Sequence, residues 1–253
     1  GVLLITTKTG KIDRPVFTVN AYRGVQKAIW LPSPLNAVDY MKLQNEATTN
    51  VSSSATPPYT SDFISSYNAN HALDPDKYPD ARSMDLVNKV IPVQDYNVKV
   101  SGGAGNTSYF LGAGYFKEDG LFDQFNFGRY NFNANINSKV TKITKVSVGL
   151  INSFTRKNEP SPEYSIANMM RWLYFVKPTH SLYFSDGKWG NSNNVSLVGG
   201  LNSGSYNKTD GTSMLSTFTV DQEIPFIKGL SIKGVFSYDL HNDFMKGFSK
   251  PAY

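Results

Sequence analysis

Three histidines, His71, His180 and His241, stand far apart in this sequence. None has a neighbour at metal-ligand spacing, so each reads as a surface residue of a loop or strand. There is no cysteine, which excludes disulfides, thiolate nucleophiles and thiolate metal sites and leaves the compartment open. No GxSxG, HExxH or Walker-type loop is present. Asp74, Asp76 and Asp80 in DPDKYPD suggest calcium at first sight, but the run lacks the glycine and glutamate of a calcium loop. GGAG at 102–105 lacks GxGxxG spacing and no helix follows it, so it reads as a turn. The residues point to no enzyme, no cofactor and no metal.

Two other groups of residues point to binding. Trp172, Tyr174, Tyr183 and Trp189 fall in one long connection, around the turn signal SDGKWGN. Their flat faces suit stacking on sugar rings or gripping a protein partner; they equally suit a small apolar cluster that holds the loop together. In GRYNFNANIN (128–137), Asn131, Asn133, Asn135 and Asn137 alternate with Tyr130, Phe132, Ala134 and Ile136. Period two places the asparagines on one face of a strand. Asparagine is a poor strand former, and four buried amides need a full set of partners. A wet face removes that demand. It is either the lumen side of a membrane barrel, with the apolar face toward lipid, or the solvated side of a soluble sheet.

Such a strand needs neighbours, and period-two segments recur at 16–25, 95–102, 108–116, 130–140, 145–154, 213–222 and 230–240. Most run about ten residues, the length that crosses a bilayer at barrel tilt. Short connections (103–107, 141–144, 224–229) alternate with longer ones, as in outer-membrane barrels with their short periplasmic turns and long extracellular loops. The long connections hold helical pieces at 33–47, with Ser33 or Asn36 as N-cap, and at 165–176; 51–62 and 70–83 read as turn-rich loops. Apolar residues are 40% of the 253 and aromatics 13%, which suits a chain without one large dry core. The net charge of +5 is scattered along the strands, so no nucleic-acid patch is expected. No window is apolar enough for a membrane-spanning helix.

Longer blocks resemble one family. GVLLITTKTGK (1–11), PSPLNAVDYMKLQNEA (32–47) and PVQDYNVKVSGGAGNTSYFLGAGYFKEDGLFDQFNFGRYNFNANIN (92–137) are similar, in order, to the SusC/RagA family of TonB-dependent outer-membrane transporters. At 81–90 the chain reads ARSMDLVNKV where that family carries a Trp-containing segment. The resemblance implies an all-β fold: about seven antiparallel strands of a plugged transmembrane barrel of about 22 strands, with helices in its extracellular loops. It implies residues 1–11 as the last plug strand and 12–253 as the first part of the barrel. It also implies import of glycan or peptide oligomers across the outer membrane, a SusD-like surface lipoprotein partner, and energy from TonB acting outside this segment. Membrane lipid would face the wall. The competing expectation is a secreted β-sandwich that binds carbohydrate without transport.

Overall fold

The computed structural model describes residues 10–192 and 195–250. Seven strands form one sheet in chain order, every neighbouring pair antiparallel. They are β1 (Val16–Gln26), β2 (Ile91–Ala104), β3 (Thr107–Asp119), β4 (Asn126–Lys139), β5 (Thr144–Glu159), β6 (Tyr206–Glu223) and β7 (Ser231–Phe248). The all-β meander is the expected fold class. No second sheet faces it among the described residues, whereas a sandwich requires an opposing layer. Among the described residues no helix is long and apolar enough to cross a membrane, which says nothing about strands.

The strands exceed the expected ten residues, reaching 16 in β5 and 18 in β6 and β7. The polar extensions, such as TRKNE of β5 and YNKTD of β6, pair with each other beyond the apolar alternation. Backbone pairing continues where the sequence pattern has stopped. The β3–β4 connection, between segments ending at 116 and starting at 130 in the sequence pattern, is only 120–125, because β3 and β4 pair up to Asp119 and Asn126. It is then no longer than the β6–β7 turn at 224–230. Lengths therefore do not alternate strictly, although the two longest connections still leave from one end.

At the opposite end Gly105 opens the two-residue β2–β3 turn with φ 58°, a left-handed conformation that a glycine adopts freely. The preceding Gly102 and Gly103 answer to a different constraint. The incoming segment 10–15 crosses them closely: the Gly103 amide donates to the Asp13 carbonyl at 2.9 Å. A Cβ on Gly102 or Gly103 would sit 3.0 Å from Pro15 Cα or 2.9 Å from Ile12 Cα. The expected plug strand, 1–11, lies outside the described residues except for Gly10 and Lys11, which are in no regular element.

The helices lie in the long connections: α1 (Ala37–Val51), α2 (Ser61–Leu73), α3 (Ile166–Phe175) and the short α4 (Leu197–Asn202). Asn36, not Ser33, caps α1 by accepting from the Asp39 amide at 2.8 Å. The helix α2 falls mostly between the two stretches expected to be loops and extends into both. Its serines and asparagines resemble turn residues, but Thr60 caps it and Phe63 and Tyr67 share one face.

Candidate functional site

Strand register turns single-strand alternation into rows across the sheet. One row runs Asn20, Asn97, Gly114, Asn131, Ser153, Ser213 and His241, polar or small on every strand. The row beside it on the other face runs Ala21, Tyr96, Tyr115, Tyr130, Phe154 and Thr212. The asparagine face is the more sheltered. Asn131, Asn133, Asn135 and Asn137 are half-buried, while Tyr130 is 59% and Phe132 40% exposed. Side chains crowd on the asparagine side. The Asn97 and Asn131 amides meet above Gly114, where an added Cβ would lie 2.7 Å from Asn97 Oδ1. Phe110, Ile151 and Leu215 interrupt the polar face, the last two as in-register neighbours.

The opposite face is apolar over most of its height. Val19, Val98, Ala113, Phe132, Met214 and Leu240 share a row with Asn152, whose Oδ1 has no hydrogen-bond partner. On β5 this face runs from Val146 to Phe154. That is about 27 Å along the strand and about 20 Å in height at barrel tilt, close to the ~25 Å apolar band of outer-membrane barrels. Its edge is aromatic: Tyr96 stacks on Tyr115 with centroids 6.4 Å apart, and Tyr115 meets Tyr130 at 4.9 Å.

Among the described residues neither face of the sheet carries a packed core. The largest buried cluster is Met84, Val87, Phe122, Phe125, Tyr164, Met169, Leu173 and Leu197. It draws on all three connections at the long-loop end, so those connections form one layer over that end of the sheet. Ser83 donates to the Leu173 carbonyl at 2.8 Å across this core. The segment 81–90, which departs from the resembled pattern, thus supplies a 3-10 turn (Ser83–Leu86) and two core residues. Sequence reasoning passed over LFDQF (121–125), whose Phe122 and Phe125 are buried side chains of a very short loop.

Two of the three aspartates of DPDKYPD, Asp76 and Asp80, tie this layer together, and Asp74 closes a local turn. Asp80 accepts from the Ala37 amide at the start of α1 at 2.7 Å, and Asp76 accepts from the Ser185 amide at 2.9 Å. Asp74 accepts from the Lys77 amide at 3.1 Å. Beside them Tyr59, Phe63, Tyr67 and Tyr78 form a ring cluster. Burial first, then the charge of Asp80, pushes the Tyr67 hydroxyl up to about 12. It stays protonated and donates to the Pro79 carbonyl at 2.8 Å. Tyr67→Phe leaves that carbonyl unpartnered, an expected loss of about 1–3 kcal/mol of local stability. In the full-length protein, faster amide exchange across 60–80 with the strands unchanged is the expected readout; unchanged exchange there contradicts it.

The four loop aromatics are not gathered into one site. Trp172 packs edge-to-face on Tyr164 at 5.2 Å, against the buried cluster. Tyr183 and Trp189 face each other across an isolated bridge. Tyr174 projects from α3, 57% exposed, beside a groove of about 490 Å³ that Pro34, Tyr40, Phe175 and Pro178 also line. His180 is partly buried and its Nδ1 has no partner; burial first, then nearby Lys177, holds its pKa below the ordinary histidine value. Among the described residues no three His, Cys, Asp or Glu side chains gather as metal ligands.

No protein-family model matches the chain. Two TonB-dependent receptors of Formosa agariphila are similar to it. One is 24% identical over 261 residues, covering 98% of this chain and 24% of the relative. The other is 21% identical over 259 residues, covering 96% and 22%. The chain thus spans about a quarter of the length of these curated relatives. Solved structures of the RagAB peptide transporter superpose with TM-score 0.70 at 18% identity, and of the RagAB peptide importer in its closed-closed state with 0.70 at 16%. Each superposition covers 94% of this chain and 29% of the solved one. These names are of receptors and importers, not enzymes. Along nearly its whole length the chain is thus similar in sequence to TonB-dependent receptors, and its meander shares the fold of the matched part of the RagAB structures.

Proposed function

We propose that this chain forms part of the wall of a TonB-dependent importer in the bacterial outer membrane, with the apolar face toward lipid and Asn131, Asn133, Asn135 and Asn137 toward a plugged lumen. The observation that carries this is the pair of adjacent rows: polar or small residues on every strand, against a row on the other face that is aromatic or aliphatic from β1 to β5. A wall with water on one side and hydrocarbon on the other needs that division, and it needs no packed core on either face. Residues 1–11 are the last plug strand in this reading and 12–253 the barrel portion. The close passage of residues 10–15 over Gly102 and Gly103 suits a linker running from plug to wall.

The cargo in this reading is an oligomer of peptide or glycan type, and the similar solved structures are of a peptide importer. A SusD-like surface lipoprotein is the partner over the long-loop end, and TonB acts through regions outside this chain. Tyr174, with its groove, and the Tyr183–Trp189 pair are the candidates for contact with cargo or lipoprotein; Trp172 is committed to packing. The test is uptake of fluorescent oligopeptides and oligosaccharides by cells carrying the full-length receptor. Uptake of one class is expected, and it stops when TonB is deleted. Uptake that persists without TonB, or accumulation equal to receptor-null cells for both classes, overturns the proposal.

A further inference from the structure

Beyond the row of Tyr115, Tyr130 and Phe154, the outer face turns charged. The next row holds Lys117, Gly128, Arg156 and Asp210, and the one after it Asn126, Asn158, Lys208 and Lys246. Gly128 floors a hollow of about 370 Å³, walled by Lys117 and Arg156 and bounded by Tyr115, Tyr130 and Phe154. A Cβ added at Gly128 would meet nothing nearer than the Phe116 carbonyl at 3.9 Å. Two cations here are answered by carboxylates. Arg156 donates to both oxygens of Asp210 at 2.7 and 3.1 Å, and Lys117 lies 3.4 Å from Asp119.

Lys208 and Lys246 make no such contact; only the charge of Lys208 reaches Asp210, which Arg156 already holds. They stand directly opposite each other across β6 and β7, both exposed, and neither has an ion pair among the described residues. Lys208 Nζ rests over the Tyr206 ring at 5.1 Å. Like charges directly opposite on a sheet destabilise it, and an anion between them reverses the sign. The patch has four cations against two carboxylates, directly above an aromatic edge and an apolar band.

We propose that Lys208 and Lys246 clamp the phosphate of an anionic lipid headgroup, and that the Gly128 hollow takes the polar backbone joining it to its acyl chains. Aromatic belts sit at headgroup depth, and each nearby lysine attracts an anionic headgroup severalfold. A free phosphate satisfies the ammoniums alone; a lipid also covers the tyrosine row and the band beneath it. The inference rests on the lipid-facing reading of that band.

The test uses the full-length receptor purified in detergent and titrated with phosphatidylglycerol, phosphatidylcholine or inorganic phosphate, with bound species read by native mass spectrometry. Wild type is expected to retain phosphatidylglycerol in preference to phosphatidylcholine, and inorganic phosphate is not expected to displace it. Lys208→Gln with Lys246→Gln weakens retention roughly 25-fold, about fivefold per charge. Gly128→Trp fills the hollow and weakens retention with all charges intact. Wild-type retention by either variant, equal retention of the two lipids, or displacement by inorganic phosphate overturns the site. Phe132→Arg separates the two readings. If it impairs barrel assembly while the headgroup test fails, only the site falls; if it is tolerated, the lipid-facing reading falls with it.

Discussion

Arginine at position 132 or 136 is expected to cost about 2–4 kcal/mol of barrel stability near the bilayer midplane, and arginine at 133 far less. Phe132 and Ile136 stand on the exposed apolar face, 40% and 43% exposed, in rows with Val98, Met214 and Leu240 and with Val148, Phe218 and Phe236. A guanidinium there must shed its hydration in hydrocarbon or drag water inward. Asn133 lies one residue away on the face it shares with Lys99 and Asp239, where a charge already has company. The measurement is heat-modifiable migration of the full-length receptor from outer-membrane fractions. Folded receptor is lost for Phe132→Arg and Ile136→Arg and kept for Asn133→Arg. Equal folding of all three refutes the assignment of faces, since a one-residue shift exchanges them.

Residues 1–253 expressed alone are expected to aggregate or to need detergent. Among the described residues both outer strands of the sheet, β1 and β7, have a partner on one side only, and every residue of β7 is exposed. Unpaired N–H and C=O groups along two edges invite strand addition in water, and in hydrocarbon each costs several kcal/mol. Phe17, Phe132, Phe218, Ile232 and Phe236 belong to a broad apolar surface with no opposing layer. The buried apolar clusters lie in the loop layer, and on the sheet only Ile91 and Val93 at the start of β2 are buried among the described apolar residues, so that layer cannot cover the open sheet. Size-exclusion chromatography and thermal melting in plain buffer decide it. A monodisperse monomer that melts cooperatively there refutes the open-wall description.

Period two is a local property, and it made β4 and the centres of the other strands legible from residue types alone. Tyr130, Phe132 and Ile136 share one face because successive side chains in any strand point to opposite sides. The number of strands and the sorting of the longest connections to one end followed from the same pattern. Its limits are equally physical. The ends of β5 and β6 are polar on both faces and are held by pairing with each other, so no alternation marks them. The helix α2 was hidden by serines and asparagines, whose helical state depends on the Thr60 cap and on the ring cluster beside Tyr67. The tight loop around Phe122 and Phe125 looks unexceptional until the β1–β2 and β5–β6 connections close over it. The four loop aromatics share a connection but not a site, because Trp172 is taken by Tyr164 while Tyr183 pairs with Trp189. Register is the main feature that no single strand contains. Gly114 between Asn97 and Asn131, and Lys208 opposite Lys246, are juxtapositions of residues far apart in the chain. Composition and period determine which face a side chain takes; only backbone pairing between strands decides which side chain stands beside it.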